Sequence, residues 1–273
     1  MNTILTLSSF IFPLITFPYV SRILLPEGTG RVSFATSVVS YFLMLSQLGI
    51  PTYGIRACAK VRDDRRKLSR VVHELMAINL VMSLLSYLAL GIFVFAIPRL
   101  RAESSLIFII SLTILLNAVG MEWLYKALEQ YTYITIRSVI FKAIAVVAML
   151  LLIRQQSDYV VYGALTILAA SASNVCNFVH AHTYIDLFPE EKYNYRQHMK
   201  PILVFFAMSC ATVIYTNLDT VMLGLMKSNV DVGYYNAAVK IKGILVGIVT
   251  SLGTVMLPRL SYYVERGELE EFQ

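Results

Sequence analysis

Six charged side chains stand inside stretches of sequence that are otherwise apolar: Arg22, Arg56, Lys142, Asp219, Lys240 and Lys242. Asp219 lies within PILVFFAMSCATVIYTNLDTVMLGLM, a run long enough to cross a bilayer, which takes about 20 residues. A carboxylate at the centre of a membrane helix costs roughly 2.5–3.5 kcal/mol on insertion scales, so it faces a protein interior or a wet cavity. Two chemistries suit it. It can couple an ion or a proton to movement, or it can pair with Lys240 across a hairpin as a structural ion pair. Lys142 lies near the middle of an apolar segment and needs a polar cavity or a carboxylate beside it. Arg22 and Arg56 lie close enough to segment ends to snorkel to water. Lys240 and Lys242 point about 200° apart at ~100° per residue, so a regular helix cannot turn both into one narrow cavity.

No reaction chemistry accompanies these charges. The sequence holds no phosphate-binding loop, no zinc-type spacing and no nucleophile paired with a base. Cys58, Cys176 and Cys210 are far apart in apolar stretches and give neither a disulfide framework nor a metal site. The expectation is therefore a protein that is not an enzyme, with no cofactor and no metal; the family resemblance given below implies a transporter. The net charge of +6 does not point to nucleic acid, because most basic residues sit in short loops between apolar runs.

The elements that hold these residues are membrane helices. Of 273 residues 57% are hydrophobic and only 15% charged, against about 25% charged in a soluble domain. The apolar residues come in long runs, not in the ~10-residue alternating segments of a β-barrel. The expected fold is an all-α polytopic membrane protein of about eight spans: Thr3–Leu25, Val32–Ala57, Val71–Ile97, Ser104–Tyr125, Tyr133–Ile153, Tyr159–Tyr184, Pro201–Leu225 and Gly233–Leu257. Pro26–Gly30 reads as a tight turn, and Pro13 and Pro18 as a kink or a bendable gate in the first span. Glu74 reads as close to water, and Glu122 and Lys126 as an i,i+4 pair. The small and polar run Ala169–Asn177 and the pair Gly243 and Gly247 suit close helix packing. Basic residues favour one side of the alternating loops: Lys60, Arg62, Arg65, Arg66, Lys67, Arg70, Lys126, Arg137, Lys192, Arg196, Lys200, Arg259 and Arg266, against Arg31, Arg99, Arg101, Arg154 and Lys227. That bias puts the N-terminus in the cytoplasm.

Two motifs carry a family resemblance. Asn217–Gly224 (NLDTVMLG), followed by Val232–Ala238 (VGYYNAA) and Lys240-Ile-Lys242, is similar to the polysaccharide-export flippases of the multidrug/oligosaccharidyl-lipid/polysaccharide superfamily, and most of all to the O-antigen (Wzx-type) flippases of bacterial inner membranes. Ser21–Gly30 (SRILLPEGTG) resembles the first outer loop of that family.

The resemblance implies a MATE-like fold of two six-helix bundles around a cavity that opens alternately to either side. Residues 1–200 would form the N-terminal bundle. Residues 201–273 would hold the first two helices and tail of a second bundle, left incomplete here. The implied cargo is an undecaprenyl-pyrophosphate-linked oligosaccharide, an O-antigen or other polysaccharide repeat unit, carried across the inner membrane. Implied partners are membrane lipids, a polysaccharide polymerase and a chain-length regulator. Related lipid-linked precursor flippases place arginines of the first two helices in the cavity. The match at Ser21–Leu24 makes Arg22 the preferred substrate cation, with Arg56 and Lys142 behind it. The alternatives are a cation-coupled multidrug exporter of the same superfold, whose cavity should be acidic, and a non-transporting scaffold for polysaccharide assembly.

Overall fold

The computed structural model describes residues 2–186, 193–243 and 245–246, with residues 2–11 described through their backbone alone. Among them the chain is helical and carries no strand. Expectations for Lys192, Gly247, Leu257 and the tail Arg259–Gln273 lie outside the described residues.

Helix α1 (Asn2–Gln47) is broken at Leu25, whose φ of 57° and ψ of 178° are not helical. The chain reverses there. The first limb returns along α7 (Tyr131–Leu152), where the Tyr19 hydroxyl donates to the carbonyls of Leu150 and Ile153 at 3.1 and 3.0 Å. The second limb begins directly at Pro26. The expected turn over Pro26–Gly30 is thus a single residue, and 26–30 are already helix. Proline suits this place, because the first turn of a helix leaves its N–H groups without intrahelical partners. Pro13 and Pro18 leave the backbone of the first limb helical.

The expected second span also breaks. Leu48 and Gly49 both have positive φ, 46° and 74°, and separate the second limb from α2 (Ile50–Ala59). Gly49 is needed for a second reason: a Cβ there would lie 2.5 Å from the backbone nitrogen of Phe206. The fourth span is divided in the same way by Met121 (φ 42°), into α5 (Ser104–Gly120) and α6 (Glu122–Ala127). The sixth runs as α8 (Tyr159–Ile167), a π turn over Leu168–Ala172 and α9 (Asn174–His180). The third, fifth and seventh are α3 (Arg65–Ala96), α7 and α10 (Arg196–Met226), with the short α4 (Pro98–Ala102) after α3. Asp64 caps α3 by accepting from the backbone N–H of Arg66 and Lys67. The eighth starts early, as helix over residues 229–243.

Five of these stretches are long and apolar enough to cross a membrane: Phe12–Ala59, Arg65–Ala96, Tyr131–Leu152, Gln156–Thr183 and Arg196–Met226; Ser104–Gly120 is a shorter apolar helix. The protein is an all-α polytopic membrane protein. Large apolar side chains such as Leu84, Leu88, Ile92, Val147 and Leu151 lie exposed on its outer surface, as a surface solvated by lipid requires.

Inside, two apolar clusters are separated along the bundle. One holds Leu24, Phe34, Val38, Ile107 and Val232; the other holds Ile50, Leu75, Trp123, Tyr125 and Ile202. Between α3, α5 and α9 runs a seam of amides. Asn79 donates to the Ala118 carbonyl (3.2 Å), Asn117 to Ser171 Oγ (3.1 Å), Asn174 to Asn117 Oδ1 (3.3 Å) and Asn177 to the Gly120 carbonyl (2.6 Å). The small residues of Ala169–Asn177 permit this approach, and the amides fix its register. Gly120 is part of it: a Cβ there would meet Asn174 at 2.5 Å.

Two glycines carry the junction between the second limb of α1 and the helix over 229–243. A Cβ on Gly30 would lie 1.8 Å from the Asn229 carbonyl oxygen, and one on Gly233 would lie 2.0 Å from the Pro26 carbonyl oxygen. Gly30→Ala should therefore destabilise by about 1–3 kcal/mol, the usual cost of overpacking, and lower the melting temperature of the purified protein. Gly91→Ala, at a site with no atom within 4 Å of the added carbon, should leave it unchanged.

Candidate functional site

One cavity brings together two of the intramembrane charges, Lys142 and Lys240. It has a volume of about 460 Å³ and lies between the first limb of α1, α7, α8, the π turn and the helix over 229–243. Lys142, Lys240 and Glu122 line it, together with Phe17, Ser138, Tyr162 and Thr166. Lys142 is halfway along α7. The Lys240 ammonium sits 4.5 Å above the ring of Phe17, a cation–π contact. Glu122 is paired with Lys126 at 2.8 Å, as their i,i+4 spacing predicts. Among the described residues, two lysines and one carboxylate line this cavity.

Asp219 is placed elsewhere. Its Oδ2 accepts from the Tyr235 hydroxyl at 2.7 Å. Among the described residues Asp219 and Lys240 form no ion pair, and each has a different neighbour from the one the hairpin reading gives it. The two helices are joined instead by the Tyr235–Asp219 hydrogen bond.

The expected arginines are also apart. Arg22 is exposed on the first limb. The cavity-lining residues of that limb are Phe12, Pro13, Thr16 and Phe17. At ~100° per residue Arg22 lies about 150° round from their mean direction. Arg56, near the end of α2, lies with its guanidinium 5.0 Å from the ring centre of Phe205 on α10. The structure therefore joins Lys142 with Lys240 and separates both from Arg22 and Arg56.

A second cavity, about 470 Å³, lies under α10. Its polar lining is uncharged: Ser40, Gln47, Thr52, Ser209, Thr212 and Asn217, with Phe205 and Met208 beside them. It exists because α10 touches the bundle mainly at its ends. The buried residues of that 31-residue helix are His198 and Ile202 near one end and Thr220 and Gly224 near the other.

Each end is held by charge that the sequence did not reveal. At the Gly224 end, Arg99 donates to the Gly224 carbonyl (2.9 Å) and to Asn229 Oδ1 (2.7 Å), and Asn229 donates to the buried Glu103 (3.2 Å). Arg31 pairs with Glu27 at 2.8 Å and Glu103 at 3.4 Å. At the His198 end stands Glu74, which is fully buried. This corrects the expectation of a residue close to water. The neighbours that bury it come from α10, 124 positions away in sequence. Arg137 is corrected too. It is not a loop residue but lies within α7, 6% exposed, donating to the Ser173 carbonyl (3.0 Å) where the π turn ends. The only sequence signal for Glu74 was its i,i+4 spacing from Arg70; for Arg137 there was none.

The Tyr235 contact makes a prediction. Asp219→Asn keeps an oxygen that can accept from Tyr235 and strands no lysine. The amount of inserted protein should stay near that of the unmodified chain. Adding Lys240→Met should then have an independent effect, with the two changes additive within about 0.3–0.5 kcal/mol in a double-mutant cycle of thermal stability. A rescue of Asp219→Asn by Lys240→Met would show instead that the two charges depend on each other.

Comparison with known proteins agrees with the sequence motifs. The family model for polysaccharide biosynthesis proteins matches residues 1–264. A protein of Escherichia coli (strain K12) named as an O-antigen transporter is 22% identical over 257 residues, covering 93% of this chain and 62% of that protein. One of Shigella dysenteriae with the same name is 26% identical over 266 residues, covering 93% of this chain and 64% of that protein. The chain thus spans a little under two thirds of the length of these relatives. No solved structure is a significant match. With a family match over nearly its whole length, on a fold of apolar membrane helices, the chain belongs to the polysaccharide biosynthesis protein family, the family of the O-antigen (Wzx-type) flippases.

Proposed function

We propose that the protein is a transporter that moves a lipid-linked oligosaccharide across the bacterial inner membrane by alternating access. The observation that carries this reading is the cavity lined, among the described residues, by Lys142 and Lys240 with Glu122. A pyrophosphate crossing hydrocarbon must be neutralised, since an unpaired charge there is very costly. Lysine ammonium groups supply that neutralisation while the polyprenyl tail stays in lipid. A drug exporter for cations would need the opposite sign. The names of the two relatives support an O-antigen or similar repeat unit as the cargo. In this proposal residues 1–200 act as one bundle and residues 201–273 begin the second, and the two cavities at α1 lie where the bundles face each other. Polymerase and chain-length regulator would be partners at the membrane surface.

Among the substrate cations Lys142 ranks first, with Lys240 beside it, and Arg22 and Arg56 serve as contacts made in another state of the cycle. In a flippase-deficient strain, export of surface polysaccharide per inserted full-length molecule should fall at least about tenfold for Lys142→Met, which is 1.4 kcal/mol or more of lost stabilisation. Lys142→Arg should keep most of it. Arg22→Ala should matter less than Lys142→Met. Unchanged export by Lys142→Met would remove that cavity from the mechanism, and a complete loss in Arg22→Ala alone would return the arginine to the centre of it.

The N-terminus is cytoplasmic in this proposal, from the loop bias. A cysteine at Asp63, an exposed position beside α3, should resist an impermeant thiol reagent added outside cells, while one at Ser228 should react. The reverse pattern would invert the topology.

A further inference from the structure

A third, smaller cavity lies where two helices break. The second limb of α1 ends at Gln47, before the positive φ angles of Leu48 and Gly49, and α5 ends at Gly120, before that of Met121. Gln47 and Gly120 both line this cavity, whose volume is about 110 Å³. Asn79, Asn117, Asn174, Glu122 and Lys126 line it too. Gln47 also lines the uncharged 470 Å³ cavity, and Glu122 lines the one that holds Lys142 and Lys240. The small cavity therefore shares a wall with each large one.

The asparagines are left with oxygen to offer. An amide must turn its NH₂ toward a carbonyl, because a carbonyl only accepts. Asn79 Nδ2 donates to the Ala118 carbonyl (3.2 Å) and Asn117 Nδ2 to the Thr113 carbonyl (2.8 Å). Asn174 Nδ2 then donates to Asn117 Oδ1 at 3.3 Å. These bonds fix the orientations. They leave Asn79 Oδ1 buried without a donor among the described residues, and Asn174 Oδ1 likewise takes no part in a hydrogen bond among them. Both side chains are 3% exposed. A buried oxygen without a partner is expensive to keep, so a donor or a cation belongs beside it.

We infer that this cavity binds a monovalent alkali cation, held by the amide oxygens of Asn79, Asn174 and Gln47 and by the Glu122 carboxylate. Charge selects a cation over water alone. The carbonyl end of a helix carries roughly half a negative charge, and the ends of the second limb and α5 meet here. The N–H ends of α2 and α6 begin at the same breaks, but Pro51 in the first turn of α2 has no N–H, and Glu122 opens α6 with a negative charge. Lys126 holds Glu122 Oε1 at 2.8 Å. A carboxylate has about four lone-pair sites, so one ammonium does not exhaust it. A divalent ion fits less well: calcium takes about 6–8 oxygens with several carboxylates among them, and magnesium sheds its water reluctantly. Broken membrane helices hold Na⁺ in this manner, at unwound carbonyls and at half-helix C-terminal ends. At about 30 Å³ per water, the cavity admits an ion and roughly two waters. The bound ion ties the two breaks together, and through Gln47 and Glu122 it reaches the walls of both large cavities.

The test needs no cargo, so its outcome is separate from that of the transport reading. Binding of radioactive Na⁺ is measured on the full-length protein in lipid nanodiscs, with choline chloride holding the ionic strength constant. Melting temperature is followed in parallel. Binding should saturate, and the melting temperature should rise as NaCl replaces choline chloride. Glu122→Gln keeps an oxygen and loses the charge; it should weaken binding at least about tenfold, since ligand charge sets affinity at such sites. Asn79→Leu should abolish binding. Gln47→Leu, at a side chain with no hydrogen bond among the described residues, should weaken it and serves if the Asn79 variant does not insert. Asp219→Asn should bind as the unmodified protein does. A cavity filled by water alone predicts no saturable Na⁺ binding and no difference between NaCl and choline chloride. That result would overturn the proposal, as would binding that is unchanged in both Glu122→Gln and Gln47→Leu or lost in Asp219→Asn.

Discussion

A charge carried into hydrocarbon has to find its solvation inside the protein, and the rest of this structure depends on how that need is met. Most of the described arginines and carboxylates that are buried or half-buried in the spans gather at two levels, with Arg137 and Glu122 apart from them. One level joins Arg31, Glu27, Glu103, Arg99 and Asn229; the other joins Arg70, Glu74, His198 and Tyr53. Each cluster ties α10 or the helix after it to the helices of the first part of the chain. Breaking one partner out of such a cluster leaves a buried charge without compensation, which costs about 3–5 kcal/mol where it has been measured. Polar contacts, rather than apolar burial, thus determine where α10 sits. Apolar contact cannot do so by itself, because lipid tails solvate a leucine as well as a neighbouring helix does.

Between the two levels the protein tolerates gaps, and the two large cavities occupy them. Their linings differ in kind. One has lysines and a glutamate; the other has hydroxyls, amides and an aromatic ring. A lipid-linked sugar has the same two parts, an anionic pyrophosphate and a neutral polyhydroxylated chain. The cavities lie on opposite limbs of the α1 hairpin, so a change in the bend at Leu25 would move one lining relative to the other. Two residues on the second limb hold Leu25 in that bend. Pro26 starts a helix without needing a hydrogen-bond donor, and Gly30 lets that helix touch the backbone at Asn229.

The spans were legible in the sequence because their signal is local. A run of apolar residues identifies itself, and Arg65–Ala96, Tyr131–Leu152 and Arg196–Met226 appear close to where hydropathy puts them. The breaks within spans were less legible. Leu25, Leu48 and Met121 adopt positive φ although none is a glycine, and only surrounding contacts can hold a leucine or methionine there. The small and polar run Ala169–Asn177 did announce close packing, and it forms the amide seam. Glu122 and Lys126 announced their pairing through i,i+4 spacing.

Site residues were readable only as far as charge within a span is informative by itself. Lys142 and Lys240 could be singled out, but their convergence on one cavity depends on the turn of two helices about 100 residues apart in sequence. Glu74 shows the limit from the other side. By position it belongs near water, and its immediate neighbours agree. What buries it is the start of α10, brought back after the chain has crossed the membrane several times. The same return supplies Gln197 and His198 as donors, so the residue that reads as least demanding in the sequence becomes one of the most constrained in the fold. A carboxylate that has lost all contact with water yet keeps four hydrogen bonds, with Arg70, Asn194, Gln197 and His198, is stable only while α10 stays in place. Conversely, α10 has few other reasons to stay there: Ile202 is the one further residue buried at that end. The cluster and the helix position therefore support each other. Any cycle that moves α10 has to rehydrate Glu74 as it does so, and breaking the contacts of a buried carboxylate one partner at a time is costly.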